Sequence, residues 1–199
     1  VIEDSSELQL YQPHTVYLEA QPARPDGRGA VSIRDLFVDS LRMRPDRIVV
    51  GEVRRGEALD MIQSMISGHA GALTTAHANT AFDAMIRLET MCLMSGIEMP
   101  VHVARRQVAS AVHVVLQLRR YDDGSRRVST ISEILGLDDS GTYVVRDLYD
   151  FVASGRDEQG MLQGRLEWCG VPATFADEPY ALGLHDMIQL CHRVLPKPA

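Results

Sequence analysis

Glu52, His69 and His77 are the residues of this chain whose types and spacing could do chemistry. Glu52 stands in the stretch Arg44 to Arg54, RPDRIVVGEVR, just past a run of β-branched residues, and the histidines stand in Gly68 to Thr80, GHAGALTTAHANT. A carboxylate and two imidazoles returned to one structural unit suit a phosphate and metal site. The carboxylate can hold magnesium through its waters or polarise an attacking water, and an imidazole can sense a phosphate oxygen or bridge to the carboxylate. Bland readings stand beside these. Glu52 alone reads equally as a solvated charge at a strand end, and each histidine as a satisfied core residue.

The elements around them decide whether such chemistry is possible. Ile48-Val49-Val50, between Pro45-Asp46 and Gly51, reads as a strand buried on both faces, as in a parallel sheet. Ligands of such sheets bind outside the carboxyl ends of the strands, so Glu52 falls where chemistry occurs. Val1-Ile2 reads as the end of another strand, carrying Glu3, Asp4 and Glu7 to the same edge. Glu3 is the expected water activator with Glu7 its competitor, and Asp4 is expected to fix a turn.

Val16 to Glu19 is a further extended run, and the Pro/Gly-rich stretch Gln21 to Gly29 is a loop. Ser32 caps a helix ending before Pro45, Gly56 to Ser67 forms a second, and Asn79 caps a third that runs to Gly96. Leu73 to His77 is the strand between the last two. A fourth helix spans about Val101 to Ser110. This alternation predicts an α/β fold, a largely parallel sheet flanked by helices. Val112 to Leu118, Val128 to Leu135 and Thr142 to Leu148, separated by turns at Asp122 to Ser125 and Asp138 to Gly141, predict an antiparallel extension. Residues 1–150 form the domain on this reading, and 151–199 a small tail with a possible helix from Pro179 to Val194.

A hydrophobic content of 45% in 199 residues bounds the chain to one globular core with a small appendage. The formal charge of -7 opposes broad attraction to nucleic acid or anionic lipid. The pairs Arg54-Arg55, Arg105-Arg106, Arg119-Arg120 and Arg126-Arg127 stay locally basic and read as solvated faces or subunit contacts. Cys92, Cys169 and Cys191 are odd in number and lack a CxxC pair, so neither a disulfide framework nor a zinc site is expected. No apolar run nears the ~20 residues of a membrane span, and no signal peptide opens the chain. His14, His102, His113, His185 and His192 read as structural or surface residues. The chain starts Val1-Ile2-Glu3-Asp4 without Met, and a fragment is expected.

EDSSEL (Glu3 to Leu8), LRMRPDRIVVGEVR (Leu41 to Arg54) and GHAGALTTAHAN (Gly68 to Asn79) closely resemble the acidic box, Walker B element and histidine box of the secretion-superfamily ATPases. The wording is nearest the CpaF and TadA branch that powers tight-adherence pilus assembly, with type II and type IV secretion ATPases as wider relatives. The resemblance implies a RecA-like P-loop core, a homo-hexamer with ATP and Mg2+ between subunits, and work on the cytoplasmic side of an inner membrane. It implies an inner-membrane secretion or pilus platform protein as partner, and no nucleic acid.

Carried residue by residue, Glu3 resembles the water-activating acidic-box glutamate and Glu52 the Walker B glutamate that holds magnesium through water. His69 and His77 resemble the histidine-box pair. Arg34, Arg42 and Arg54 stand where the family places arginines on phosphate or a neighbouring subunit, against the alternative of surface salt bridges. One departure is large. None of the 199 residues forms a GxxxxGK[ST] loop, whose backbone N–H groups cradle phosphates. Either another segment supplies that loop or the isolated chain is a catalytically silent oligomerisation module. A metallohydrolase with Glu3, Glu52, His69 and His77 as direct ligands is a third reading, without an HExxH pair to support it.

Overall fold

The computed structural model describes residues 1–184, 186–188 and 193–197. Two compact units divide between Val112 and His113. The first contains β1 (Ile2–Glu3), β2 (Leu18–Glu19), α1 (Ile33–Leu41), β3 (Val49–Val50), α2 (Glu57–Ile66), β4 (Leu73–Thr74), α3 (Ala81–Leu93) and α4 (Val101–Ala111). Its strands form one parallel sheet in the order β2-β1-β3-β4. The expected parallel sheet is present, though its strands are short. Ile2, Ile48 and Val50 are buried, and Phe37, Leu59, Ile62, Met85, Cys92 and Val108 complete the core.

Local chemistry accounts for the helix boundaries. Ser32 Oγ accepts from Asp35 N–H at 3.2 Å while Asp35 Oδ2 accepts from Ser32 N–H at 2.9 Å, a reciprocal cap that starts α1. The side-chain hydrogen bond from Ser32 also lowers the Asp35 carboxyl from its ordinary value. α3 is capped by Thr80 and not by the expected Asn79: the Thr80 hydroxyl accepts from Asp83 N–H at 3.0 Å. The position before Ala81 has the extended backbone a cap requires, and a threonine oxygen serves there as well as an amide. Gly56, ahead of α2, is a close approach, because a Cβ there would lie 2.4 Å from Ser95 Cα. Glu89 and Arg105 join α3 to α4 through bonds of 2.8 and 3.1 Å.

The second unit is an antiparallel meander, β5 (Val114–Arg120), β6 (Arg126–Leu137), β7 (Tyr143–Arg156) and β8 (Leu162–Trp168), followed by α5 (Glu178–Ala181). β7 runs through position 150, the expected boundary, and pairs with β8 inside the expected tail. At Gly164 a Cβ would lie 2.5 Å from Val152 O, so the glycine serves strand packing. Glu133 is 1% exposed and accepts from Arg146 Nη2 at 2.7 Å, from Thr174 N–H at 2.9 Å and from the Thr174 hydroxyl. Burial works to raise its carboxyl, but the bonds from Thr174 and Arg146 outweigh it and hold the group below its ordinary value. Of the expected helix Pro179 to Val194, the described residues show α5 and turns. His185, Cys191 and His192 lie outside the described residues.

Candidate active site

The backbone after β3 is held from both neighbouring strands. Gly51 N–H donates to Ile2 O of β1 at 2.8 Å, and Val53 N–H donates to Thr75 O, just past β4, at 3.0 Å. Thr75 Oγ1 adds a bond of 2.6 Å to Gly51 O. Glu52 lies between these anchors, so its Cα is fixed at the carboxyl edge of the sheet, with its side chain partly exposed. Glu57 fixes the next turn by accepting from the N–H groups of Arg54 at 2.7 Å and Arg55 at 2.8 Å.

Both carboxylate oxygens of Glu52 are engaged. Arg54 Nη2 is 2.8 Å from Oε2, and His77 Nε2 is 3.2 Å from Oε1. Arg54 Nη1 also lies 3.6 Å from Asp4 Oδ2. The Arg54 hydrogen bond holds the Glu52 carboxyl below its ordinary range, with the charges of Arg54, His77 and Arg87 acting the same way against partial burial. Glu52 is therefore an anion at neutral pH. The pairing raises the Arg54 guanidinium further, and Asp4 and Glu7 contribute. The partners are 61% and 84% exposed, against 21% for Glu52, so they can leave the carboxylate without disturbing the core. A cleft of about 580 Å³ opens alongside, with Asp4, Arg54 and Glu57 on its wall.

Glu3 is treated differently. It is 6% exposed, and its carboxylate accepts the N–H groups of Leu8 at 3.1 Å and Glu7 at 3.3 Å. Those bonds organise the acidic loop from beneath. Gly51 leaves the room for it, since a Cβ there would lie 2.9 Å from Glu3 Cγ. Glu7 is exposed at the same edge.

The two histidines are at opposite ends of β4. His77 follows the strand and meets Glu52, whereas His69 precedes it, its N–H donating to Ser64 O in the last turn of α2 at 3.0 Å. His69 Nδ1 is buried without a hydrogen-bond partner among the described residues. Arg34 is 2.8 Å from Asp60 and donates to Ser95 O at 3.2 Å, tying α1 to α2 and to the turn after α3. Arg42 ends α1 and is exposed. Thus Glu52, Arg54, His77 and Asp4 come together, Arg34 lines the same cleft as Asp4 and Arg54, and Arg42 and His69 stand apart from them. The sequence reading missed Gly51, Thr75 and Glu57. Only the Gly-Glu juxtaposition at 51–52 hinted at a close approach.

Among the described residues no three His, Cys, Asp or Glu side chains group as metal ligands. Direct ligation by Glu3, Glu52, His69 and His77 therefore has no support. Magnesium keeps most of its waters and needs only one or two carboxylates, a requirement that Glu52 fits. No helix among the described residues is long and apolar enough to cross a membrane.

A family model described as "Type II/IV secretion system protein" matches residues 1–165. A putative conjugal transfer protein of Mycobacterium tuberculosis is 40% identical over 131 residues, 66% of this chain and 37% of the relative. The type IV secretion system protein PtlH of Bordetella pertussis is 39% identical, over 63% of this chain and 38% of its own length. Among solved structures, the VirB11 ATPase from the Brucella suis type IV secretion system, in complex with sulphate, matches with a TM-score of 0.57 and 34% identity over 66% of this chain. That match covers 38% of the VirB11 chain, so this chain spans well under half the length of these relatives. The mixed fold, with one parallel and one antiparallel sheet, agrees with that structure.

Proposed function

The chain belongs to the type II/IV secretion system protein family, and from its site we propose that it carries the water-activating edge of an ATPase that powers secretion. The observation that carries this reading is the Glu52 carboxylate, fixed at the carboxyl edge of a parallel sheet and shared between Arg54 and His77. Phosphoryl transfer is catalysed almost entirely by positioning and charge stabilisation. Glu52, anionic at neutral pH, orients the attacking water and would hold magnesium through water. Arg54, its exposed side chain held only at the guanidinium, moves from Glu52 to a phosphate oxygen, and His77 bonds the terminal phosphate. Magnesium, when bound, supplies neutralisation of the phosphate charge. Glu3 keeps the acidic loop in shape and Glu7 or Asp4 faces the nucleotide.

The motif wording further supports the CpaF and TadA branch, hence pilus assembly, a RecA-like P-loop core in a homo-hexamer, and a membrane platform partner on the cytoplasmic side of an inner membrane. No GxxxxGK[ST] loop occurs in the 199 residues, so nucleotide affinity of the isolated chain is expected to be weak. Calorimetric titration with millimolar ATP checks this, and tight binding would contradict the need for a separate loop. The direct test joins the chain to a segment bearing that loop and measures magnesium-dependent ATP hydrolysis. Glu52→Gln should then reduce the rate by roughly a thousandfold, and undiminished hydrolysis would sink the role given to Glu52.

A further inference from the structure

The backbone through Glu52 departs from the ladder that delivers it. β3 and β4 pair with Val49 opposite Leu73 and Val50 opposite Thr74. Carried one step further, that register would have Thr75 O accept from Glu52 N–H. It accepts instead from Val53 N–H at 3.0 Å, so one extra residue is fitted in after β3, as in a bulge. Gly51 shows how. In a regular strand the N–H and C=O of one residue point to the same neighbour. Gly51 N–H goes to Ile2 O of β1 at 2.8 Å, whereas its C=O goes to the opposite side, to Thr75 Oγ1 at 2.6 Å. The Gly51–Glu52 peptide is therefore rotated out of the ladder, and the Thr75 hydroxyl meets its carbonyl there.

That rotation decides the fate of Glu52. Strict alternation would set Glu52 on the face of Val50, which is 1% exposed. With the extra residue, Val53 takes the buried place, also 1% exposed, and the Glu52 side chain stays 21% exposed. Thr75 brackets Glu52, since its hydroxyl holds the residue before and its carbonyl the residue after. Two residues on, the same segment brings His77 Nε2 to 3.2 Å from Glu52 Oε1. Burial does not account for the hydroxyl, because Thr75 is itself exposed, and a valine would suit the extended backbone equally well.

We propose that Thr75 is a positioning residue for hydrolysis, its hydroxyl locking the rotated Gly51–Glu52 peptide so that the Glu52 carboxylate stays out of the core and within reach of His77 and the attacking water. Thr75 acts through Glu52. Catalysis by positioning is sensitive to displacements of about an ångström, which a freed peptide would allow. The chemical consequence rests on the ATPase reading above, whereas the lock is a property of the 199-residue chain by itself.

Thr75→Val removes the hydroxyl at nearly constant volume, and Thr75→Ser keeps it. In the 199-residue chain, hydrogen exchange followed by NMR should show the Val53 amide exchanging about fivefold faster in Thr75→Val, the worth of one hydrogen bond. Thr75→Ser should keep the parent rate, and the amides of α4 should be unchanged in both. Hydrolysis is then measured in the protein joined to a phosphate-loop segment. Thr75→Val should lower kcat by roughly tenfold to a hundredfold with KM for ATP unaltered, and Thr75→Ser should recover it. Added to Glu52→Gln, Thr75→Val should cost nothing further, because the group it positions is already gone. A Val53 amide that keeps the parent rate in Thr75→Val overturns the lock. A serine variant as slow as the valine one, or a full additional loss on top of Glu52→Gln, overturns the positioning role in favour of a general structural one. Undiminished hydrolysis by Glu52→Gln alone would instead fail the ATPase reading, and the exchange comparison would still decide the lock.

Discussion

Glu52 in the parallel unit and Glu133 in the antiparallel unit are the same residue type put to opposite uses. Each accepts from an arginine, and each has its carboxyl lowered below the ordinary value. Glu133 is closed off, its partners Arg146 and Thr174 packed around a site 1% exposed. Glu52 has partners that are themselves exposed and tethered at one end. A lowered carboxyl therefore marks neither stability nor chemistry by itself. What separates the two is whether the partners can leave.

Four substitutions break or sharpen that contrast. The largest effect is the loss of hydrolysis in Glu52→Gln, measured in the loop-complemented protein, while its urea-unfolding free energy should stay within about 0.5 kcal/mol of the parent. Glu133→Ala should invert the pattern. It strips the counter-ion from Arg146 and leaves the Thr174 donors unsatisfied, costing about 3 kcal/mol, the low end for a buried pair because Arg146 is partly exposed. Urea denaturation of the 199-residue chain reads it.

The same variant tests the pH dependence. The folded Glu133 carboxyl lies below its ordinary 4.5, so the unfolded chain binds more protons in mild acid. Its stabilisation is present above that ordinary value and is lost as pH falls toward the lowered one. Glu133→Ala should flatten the urea midpoint across that acidic window, and an unchanged slope would contradict the assignment. Gly164→Ala follows. The Cβ meets backbone at Val152 O, which cannot yield as a side chain can, so about 1–3 kcal/mol should be lost in the same assay. The smallest effect is Arg54→Ala, which removes the main cause of the lowered Glu52 carboxyl. A carbon-detected NMR titration should show the Glu52 midpoint rising toward its ordinary value, with stability almost unchanged.

Much of this was legible in residue patterns because it rests on local rules. The β-branched run ending at Val50, the Ser32 cap and the Asp138 to Gly141 turn each declare themselves within a few residues. β8 escaped because Gly164, required by a neighbour across the sheet, interrupts the residue pattern of a strand. Thr80 displaced Asn79 because both residues can cap and only the backbone conformation chooses.

The sequence by itself determined the alternation of strand and helix, three strands of the antiparallel meander, and the arrival of Glu3, Glu52 and His77 at one sheet edge, since strand direction and motif order follow from local periodicity. Tertiary structure alone decided which carboxylate stays partly exposed. Gly51 lets Glu3 sink under the acidic loop, Arg54 and His77 converge on Glu52, and β4 carries His69 and His77 to opposite ends. Those outcomes depend on contacts between residues far apart in the chain, where burial and the available donors, and not residue type, set what a side chain can do.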